Sequence, residues 1–363
     1  MEHGGDIYTE GLLKGKELLD FSSNINPLGV PDSFRKNIGE ALESVEKYPD
    51  AEYRKLKCNI KRYLKFSKNY FGNSRYDGEN VIDDRDIVLG NGAAEIIDLA
   101  ISCFKSICIV VPSFIEYEKD ALKWKCSISY SNLTENMDYD YQDIKSKIKD
   151  AEALILGNPN NPNGVIIDKS RFHEIVNFCS ENHRTIIIDE AFVEFTGKRN
   201  CSFLEEMEQN RCIFVVRALT KFFALPGIRM GYGLCRDRKL MDKIRAKQNP
   251  WNINCFAETA GKYVLRDKSY MDSSLEWIEN ERKFMMDNLS KIHIIEKVYD
   301  TFSNFILCRI QGVNCEELYK RCLEKGILIR KCSNFKGLDC RFIRLAIKDR
   351  AKNQKLINLL KKI

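Results

Sequence analysis

The residues best suited to chemistry fall in one stretch, VVRALTKFFALPGIRMGYG at 215–233. An apolar run at 212–216 predicts a buried strand that delivers a lysine, Lys221, into a turn of small residues. Among Phe222, Phe223, Leu225 and Pro226 its amine is partly desolvated, which lowers its pKa and makes it a nucleophile toward carbonyls. Arg229, just after a Pro-Gly pair, presents a planar fork suited to two phosphate oxygens. An imine-forming lysine beside a phosphate clamp is what pyridoxal phosphate requires. A surface lysine and arginine flanking a Pro-Gly turn would explain the same residues, so the elements that position them matter.

Other candidates sit at the ends of predicted strands. DIVLG at 86–90 runs through NGAAE into an apolar helix at 96–104. Such a strand, turn and helix start aims backbone N–H groups and a helix dipole at an anion, and Gly90, Gly92, Ala93 and Ala94 allow close approach. Turns of this kind also occur with nothing bound. A strand at 107–111 ends in Pro112-Ser113-Phe114, where Phe114 can stack on a flat ring or fill core. ALILG at 153–157 enters NPNNPNG at 158–164, a rigid turn past a strand's carboxyl end, where open α/β sheets bind ligands. The strand at 185–188 ends in DEAF, and Asp189 there can pair with a protonated ring nitrogen or cap a helix.

Strands near Ile87, Ile109, Ile155, Ile187 and Val215 recur at roughly 30-residue intervals, the rhythm of βαβ units in a mostly parallel, buried sheet. Further helices are predicted at 31–46, 52–70, 141–149 and 171–181, a strand at 124–130 and a polar loop at 71–84. QNPWNIN at 248–254 reads as a hinge. Beyond it come helices at 255–265 and 273–292, a strand at 305–310, a helix at 315–324, strands at 327–331 and 342–346, and a helix at 353–362. The expected α/β organisation is an irregular N-terminal arm (1–40) reaching the active site, a large domain (41–247) and a small α+β domain (248–363). Arg330 and Arg344 each lie in a strand of the last.

Composition excludes several classes. Against 58 basic residues stand 52 acidic ones, a mild positive bias that suits anionic small molecules and is too diffuse for nucleic acid. The 14 cysteines include no C-x-x-C and read as reduced core thiols, and 4 scattered histidines give no metal site. No apolar run approaches the ~18 residues of a membrane span, and MEHGGD lacks a signal-peptide core, so a cytoplasmic protein is expected.

GNGAAE, NPNNPNG, DEAF and TKFFALPGIRMG, in that order, resemble the fold-type I pyridoxal phosphate enzymes, specifically the histidinol-phosphate aminotransferase branch. The resemblance covers nearly the whole chain. It implies Lys221 as the lysine that carries the cofactor and Asp189 as partner of the pyridine nitrogen. Asn161 would meet the ring's phenolic oxygen, and Phe114 would stack on the ring. Thr220, Arg229 and the Gly92-Ala93-Ala94 turn would hold the cofactor phosphate. Tyr48, in KYPD, matches a tyrosine lent across a dimer interface, implying a homodimer with shared active sites.

Phe192 stands where aminotransferases of this branch usually carry a tyrosine, whose hydroxyl Phe192 lacks. HGG at 3–5, DFSSNINPLG at 20–29, IRKCSNFKGL at 329–338 and FIRLA at 342–346 resemble the threonine-phosphate decarboxylases. That resemblance implies decarboxylation of O-phospho-L-threonine to (R)-1-aminopropan-2-yl phosphate for cobalamin biosynthesis. Arg344 would bind the α-carboxylate, Arg330, Asn24, His3 and Gly4 the substrate phosphate, and Asn161 would also border the substrate. Asn163 replaces the family's usual threonine, a small polar exchange expected to be neutral. The alternatives are a histidinol-phosphate-type aminotransferase, a decarboxylase of an analogue such as phosphoserine, and a cofactor-binding regulator.

Overall fold

A computed structural model describes residues 3–71, 82–197 and 199–363. After the short strand β1 (Leu19–Asp20), seven strands form one sheet: β2 (Ile87–Gly90), β3 (Ser106–Val111), β4 (Ser127–Asn132), β5 (Ala153–Gly157), β6 (Thr185–Asp189), β7 (Ile213–Ala218) and β8 (Gly231–Leu234). Their spatial order is β2-β8-β7-β6-β5-β3-β4, parallel throughout except for β8, which runs against both neighbours. Strands β2, β5, β6 and β7 are buried along their whole length, which is why they read as unbroken apolar runs rather than alternating ones.

Strand β8 had no signal of its own, and its glycines explain that. A Cβ on Gly231 would lie 2.5 Å from the backbone of Gly92 and Ala93, and one on Gly233 would lie 2.5 Å from the Phe214 ring. The turn after β2 folds tightly across β8, so side chains that would mark a strand are excluded there.

A second, antiparallel sheet of β9 (Ile295–Val298), β10 (Phe305–Ile310), β12 (Arg330–Lys331) and β13 (Phe342–Ala346) has the order β12-β13-β10-β9. The single strand expected at 327–331 is two: β11 (Ile327–Leu328) pairs in parallel with β1, and only β12 joins the four-stranded sheet. That pairing ties the N-terminal arm to the C-terminal part of the chain.

Helix boundaries differ from expectation where local polar groups compete with the backbone. The helix expected at 31–46 breaks into Asp32–Arg35 and Ile38–Ser44, because the Asn37 side chain donates to the Ser33 carbonyl at the junction. The helix after β2 is Ala93–Ile101, starting three residues before the apolar run at 96, since the small residues of the turn already have helical geometry. Trp124 ends an unexpected helix, Glu116–Lys123, stopped by Lys125 at φ 57°, and so the next strand starts at Ser127. Helices Leu204–Gln209 and Arg238–Arg245 were also not anticipated. Of the loop expected at 71–84, residues 72–81 lie outside the described residues; Phe71 closes the helix Arg54–Phe71 and Asp84–Asp86 form a 3-10 turn.

The cysteines are all unpaired, and most are buried in apolar surroundings. No helix among the described residues is long and apolar enough to cross a membrane.

Candidate active site

Parallel register aligns the carboxyl ends of the central strands. Gly157 stands opposite Asp189, and Asp189 opposite Val216, so the turns that follow β5, β6 and β7 open on one side of the sheet. There they line a cavity of about 250 Å³. Its wall includes Ala93 and Ala94, Phe114, Asn161, Asp189, Thr220, Lys221 and Arg229 from the large sheet's turns, Arg330 and Arg344 from the second sheet, and His3, Gly4 and Asn24 from the arm. Gly92 and Tyr48 are outside this wall. Gly92 lies just behind it, and Tyr48 is exposed on the surface, 83% accessible, with its ring tilted against Trp251 at a centroid distance of 4.9 Å.

Lys221 projects into the cavity, its amine 5.8 Å from the Phe192 ring centre. Burial, followed by the positive charges of Arg344 and Arg229, pulls its pKa down to about 8, with Asp189 opposing the shift. A far larger share of the amine is therefore free near neutral pH than for an ordinary lysine, which suits imine formation.

Asp189 ends β6 buried. Its carboxylate accepts the Tyr117 hydroxyl at 2.7 Å and the Ala191 N–H at 3.0 Å. Burial nevertheless raises its pKa, because these bonds only partly replace water. The next residue anchors the chain: Glu190 is paired with buried Arg217 at 2.9 Å and accepts the Phe203 N–H at 2.6 Å. Asp189 thus comes from a strand end fixed on its far side by an ion pair.

Arg229 sits in left-handed geometry at φ 57°, donating to the Pro226 and Asn91 carbonyls at 3.1 Å each. Gly92, at φ 84°, makes room for it, since a Cβ there would lie 2.7 Å from the Arg229 Nη2. The guanidinium thereby flanks the start of the Ala93–Ile101 helix, where Glu95 reaches back to the Asn91 N–H at 2.6 Å. Helix N-terminus and arginine together favour a phosphate.

On the opposite wall, Arg330 and Arg344 stand directly across from each other on β12 and β13. Arg344 donates to the Asn161 side chain and to the Ser22 carbonyl, its Nε has no hydrogen-bond partner, and burial pulls its pKa down to about 10. It forms no ion pair among the described residues. Arg330 bonds the Asn334 side chain at 2.8 Å and faces the Phe335 ring at 5.1 Å. Gly4 packs against the Ser22 carbonyl that Arg344 holds, His3 pairs with Glu116 at 2.8 Å, and the buried Asn24 leaves its Oδ1 without a partner.

Sequence reasoning missed Tyr117, Ser22, Ile115 and Phe335 of this wall. Tyr117 lies on the unanticipated helix, Ser22 acts through its backbone, and the two apolar residues look like core in any linear reading.

The set fits pyridoxal phosphate: a buried, free-amine lysine, a buried carboxylate lacking a cation, a glycine-backed phosphate cradle and an aromatic wall at Phe114.

The family model for aminotransferase class I and II matches residues 16–360. A Caldanaerobacter subterraneus protein described provisionally as a threonine-phosphate decarboxylase is 38% identical over 99% of this chain and 93% of its own. Threonine-phosphate decarboxylase of Salmonella typhimurium is 32% identical over 99% of this chain and 96% of its own. Among solved structures, one described as histidinol-phosphate aminotransferase from Clostridium acetobutylicum superposes with a TM-score of 0.89 at 49% identity, covering 95% of this chain and 98% of that one. The chain belongs to the aminotransferase class I and II family and is a pyridoxal-phosphate-dependent enzyme of the fold-type I group.

Proposed function

We propose that this enzyme decarboxylates O-phospho-L-threonine to (R)-1-aminopropan-2-yl phosphate, a step toward cobalamin. The observation that carries the reading is the Arg330–Arg344 pair, two buried cations opposed across neighbouring strands beside Lys221. Like charges placed opposite each other are unfavourable, and a ligand with two anionic groups relieves them. A phosphorylated α-amino acid is such a ligand, and the two threonine-phosphate decarboxylase relatives supply the same substrate class.

In this reading Arg344 pairs the α-carboxylate through the N–H groups it does not spend on Asn161 and Ser22. Arg330, Asn24 and the His3-Gly4 arm hold the phosphate. Asp189 would keep a proton on the cofactor's ring nitrogen, a cation for a buried carboxylate that forms no ion pair among the described residues. Thr220, Arg229 and the Gly92-Ala93-Ala94 turn hold the cofactor phosphate, Asn161 the phenolic oxygen and Phe114 a ring face. When bound there, pyridoxal phosphate supplies an electron sink for a bond breaking at the α-carbon. The arginines orient the α-carbon so that its bond to the carboxylate breaks and CO2 leaves. Lys221, whose amine projects into the cavity, would deliver the replacing proton to that carbon.

A second reading, transamination of histidinol phosphate, is favoured by the solved structure at 49% identity. The two separate cleanly. Holoenzyme given O-phospho-L-threonine without any keto acid is expected to release CO2 and form the aminopropanol phosphate. No CO2, with pyridoxamine phosphate accumulating from histidinol phosphate, would establish the aminotransferase instead.

The depressed pKa of Lys221 has a kinetic consequence. Its amine is the reactive form, so apoenzyme should take up pyridoxal phosphate faster as pH rises through about 8 and level off above it. Stopped-flow absorbance checks this, and a rate climbing steadily toward pH ~10.5, the ordinary lysine value, would contradict it.

A homodimer with shared sites completes the proposal. Ile38, Leu42 and Val45 repeat at helical spacing on one exposed face, near the exposed Tyr48 and Trp251, and a second copy is the occupant the family resemblance supplies. Tyr48 would then serve the neighbouring site rather than its own. Sedimentation as a monomer at micromolar concentration would rule this out.

A further inference from the structure

We propose that Ile115 and Phe335 form the wall that reads the carbon bearing the phosphate ester, so that a methyl group there is preferred over hydrogen. This rests on the decarboxylase reading and goes beyond it, by assigning the choice between phosphothreonine and phosphoserine to two apolar side chains. Both line the cavity, and the Phe335 ring centre is 5.1 Å from the guanidinium carbon of Arg330. A phosphate held by Arg330 places its ester oxygen, and the carbon one bond beyond, within van der Waals reach of that ring. Ile97, Phe114 and Phe192 also line the cavity, but Phe335 is the ring that lies against Arg330 and so the apolar contact beside a phosphate held there.

The wall is also built to be stiff. Ile115 and Phe335 do not belong to the main core; they pack in a separate cluster with Tyr299, Leu307, Cys332 and Phe342. Phe335 is 3% exposed, and its N–H donates to the Cys332 carbonyl at 3.0 Å. In the two residues that follow it, Lys336 pairs with Glu118 at 3.1 Å and Gly337 lies against Pro112. Ile115 immediately precedes the Glu116–Lys123 helix, so one half of the wall comes from the large sheet's side and the other from the loop between β12 and β13. A wall fixed from both sides cannot collapse onto a missing methyl, and the void forfeits dispersion contacts. One methylene in such a pocket is worth roughly 10–200-fold in kcat/KM.

The test is CO2 release by holoenzyme from O-phospho-L-threonine and O-phospho-L-serine, in wild type and in Phe335→Leu, Phe335→Ala and Ile115→Ala. Wild type is expected to favour phosphothreonine by about tenfold or more in kcat/KM. Phe335→Ala and Ile115→Ala should lower kcat/KM for phosphothreonine at least about fivefold more than for phosphoserine, mainly through KM. Phe335→Leu, which keeps apolar volume, should retain most of the preference. A ratio unchanged in both alanine variants, or equal losses on both substrates, overturns the assignment while leaving the decarboxylase standing. No CO2 from either substrate with wild type overturns the decarboxylase reading and this assignment together.

Discussion

Lys221→Ala is expected to lose at least about a thousandfold in kcat and to bind pyridoxal phosphate without the visible absorbance of a covalently held cofactor. The expectation follows from the uniqueness of its position. Lys221 projects among Asp189, Phe192 and Thr220, with its pKa drawn to about 8, and no other lysine lines the cavity among the described residues. The nearby Lys348 is committed to the Ser23 carbonyl at 2.9 Å and does not line the cavity. Among the described residues no second amine stands ready either to hold the cofactor or to return a proton to the α-carbon. Absorbance spectra and single-turnover assays of the purified variant decide the matter. A Lys221→Ala protein that keeps the absorbance of covalently held cofactor would refute the assignment.

The second large effect is expected at Arg344. Arg344→Gln keeps a side-chain donor but removes the charge and the planar fork. Leaving a buried carboxylate without its charged partner costs about 2–5 kcal/mol, so kcat/KM for phosphothreonine should fall by about thirtyfold to a few thousandfold. Arg344→Lys should recover little of this, because an ammonium cannot bond Asn161, Ser22 and a carboxylate in one plane. A second readout separates charge loss from mere disorder. Arg344 is the largest charged contribution depressing the Lys221 pKa, so its removal should move the pH midpoint of cofactor uptake above about 8. Unchanged kcat/KM and an unchanged midpoint would remove Arg344 from the site.

How much of this was legible in the chain depended on the kind of signal. The buried strands β2, β3, β5, β6 and β7 were plain, because strands covered on both faces must be apolar at every position. The residues at their ends were legible for a related reason: Gly92, Asn161, Asp189 and Lys221 each follow an apolar run, where a parallel sheet must open to solvent. Strand β8 was not, because two of its four residues are glycines demanded by neighbours distant in sequence, the turn at Gly92 and the Phe214 ring. Nor was the split at Ile329, since which sheet a short apolar run joins is decided by its partner, here Leu19–Asp20 of the arm.

The sequence by itself determined which groups are on offer: Lys221, Asp189, Arg229 and the order in which a parallel sheet presents them. Those are local matters of residue type at strand ends. Only the tertiary structure decided that Arg330 faces Arg344, that Ser22 and Gly4 close over the latter, that Glu190 and Arg217 fix the strand behind Asp189, and that Tyr117, Ile115 and Phe335 finish the cavity. Each of these is a contact between segments far apart in the chain, set by strand register and by the closing of one sheet's loops over the other's, and neither propensity nor periodicity along a single chain carries that information.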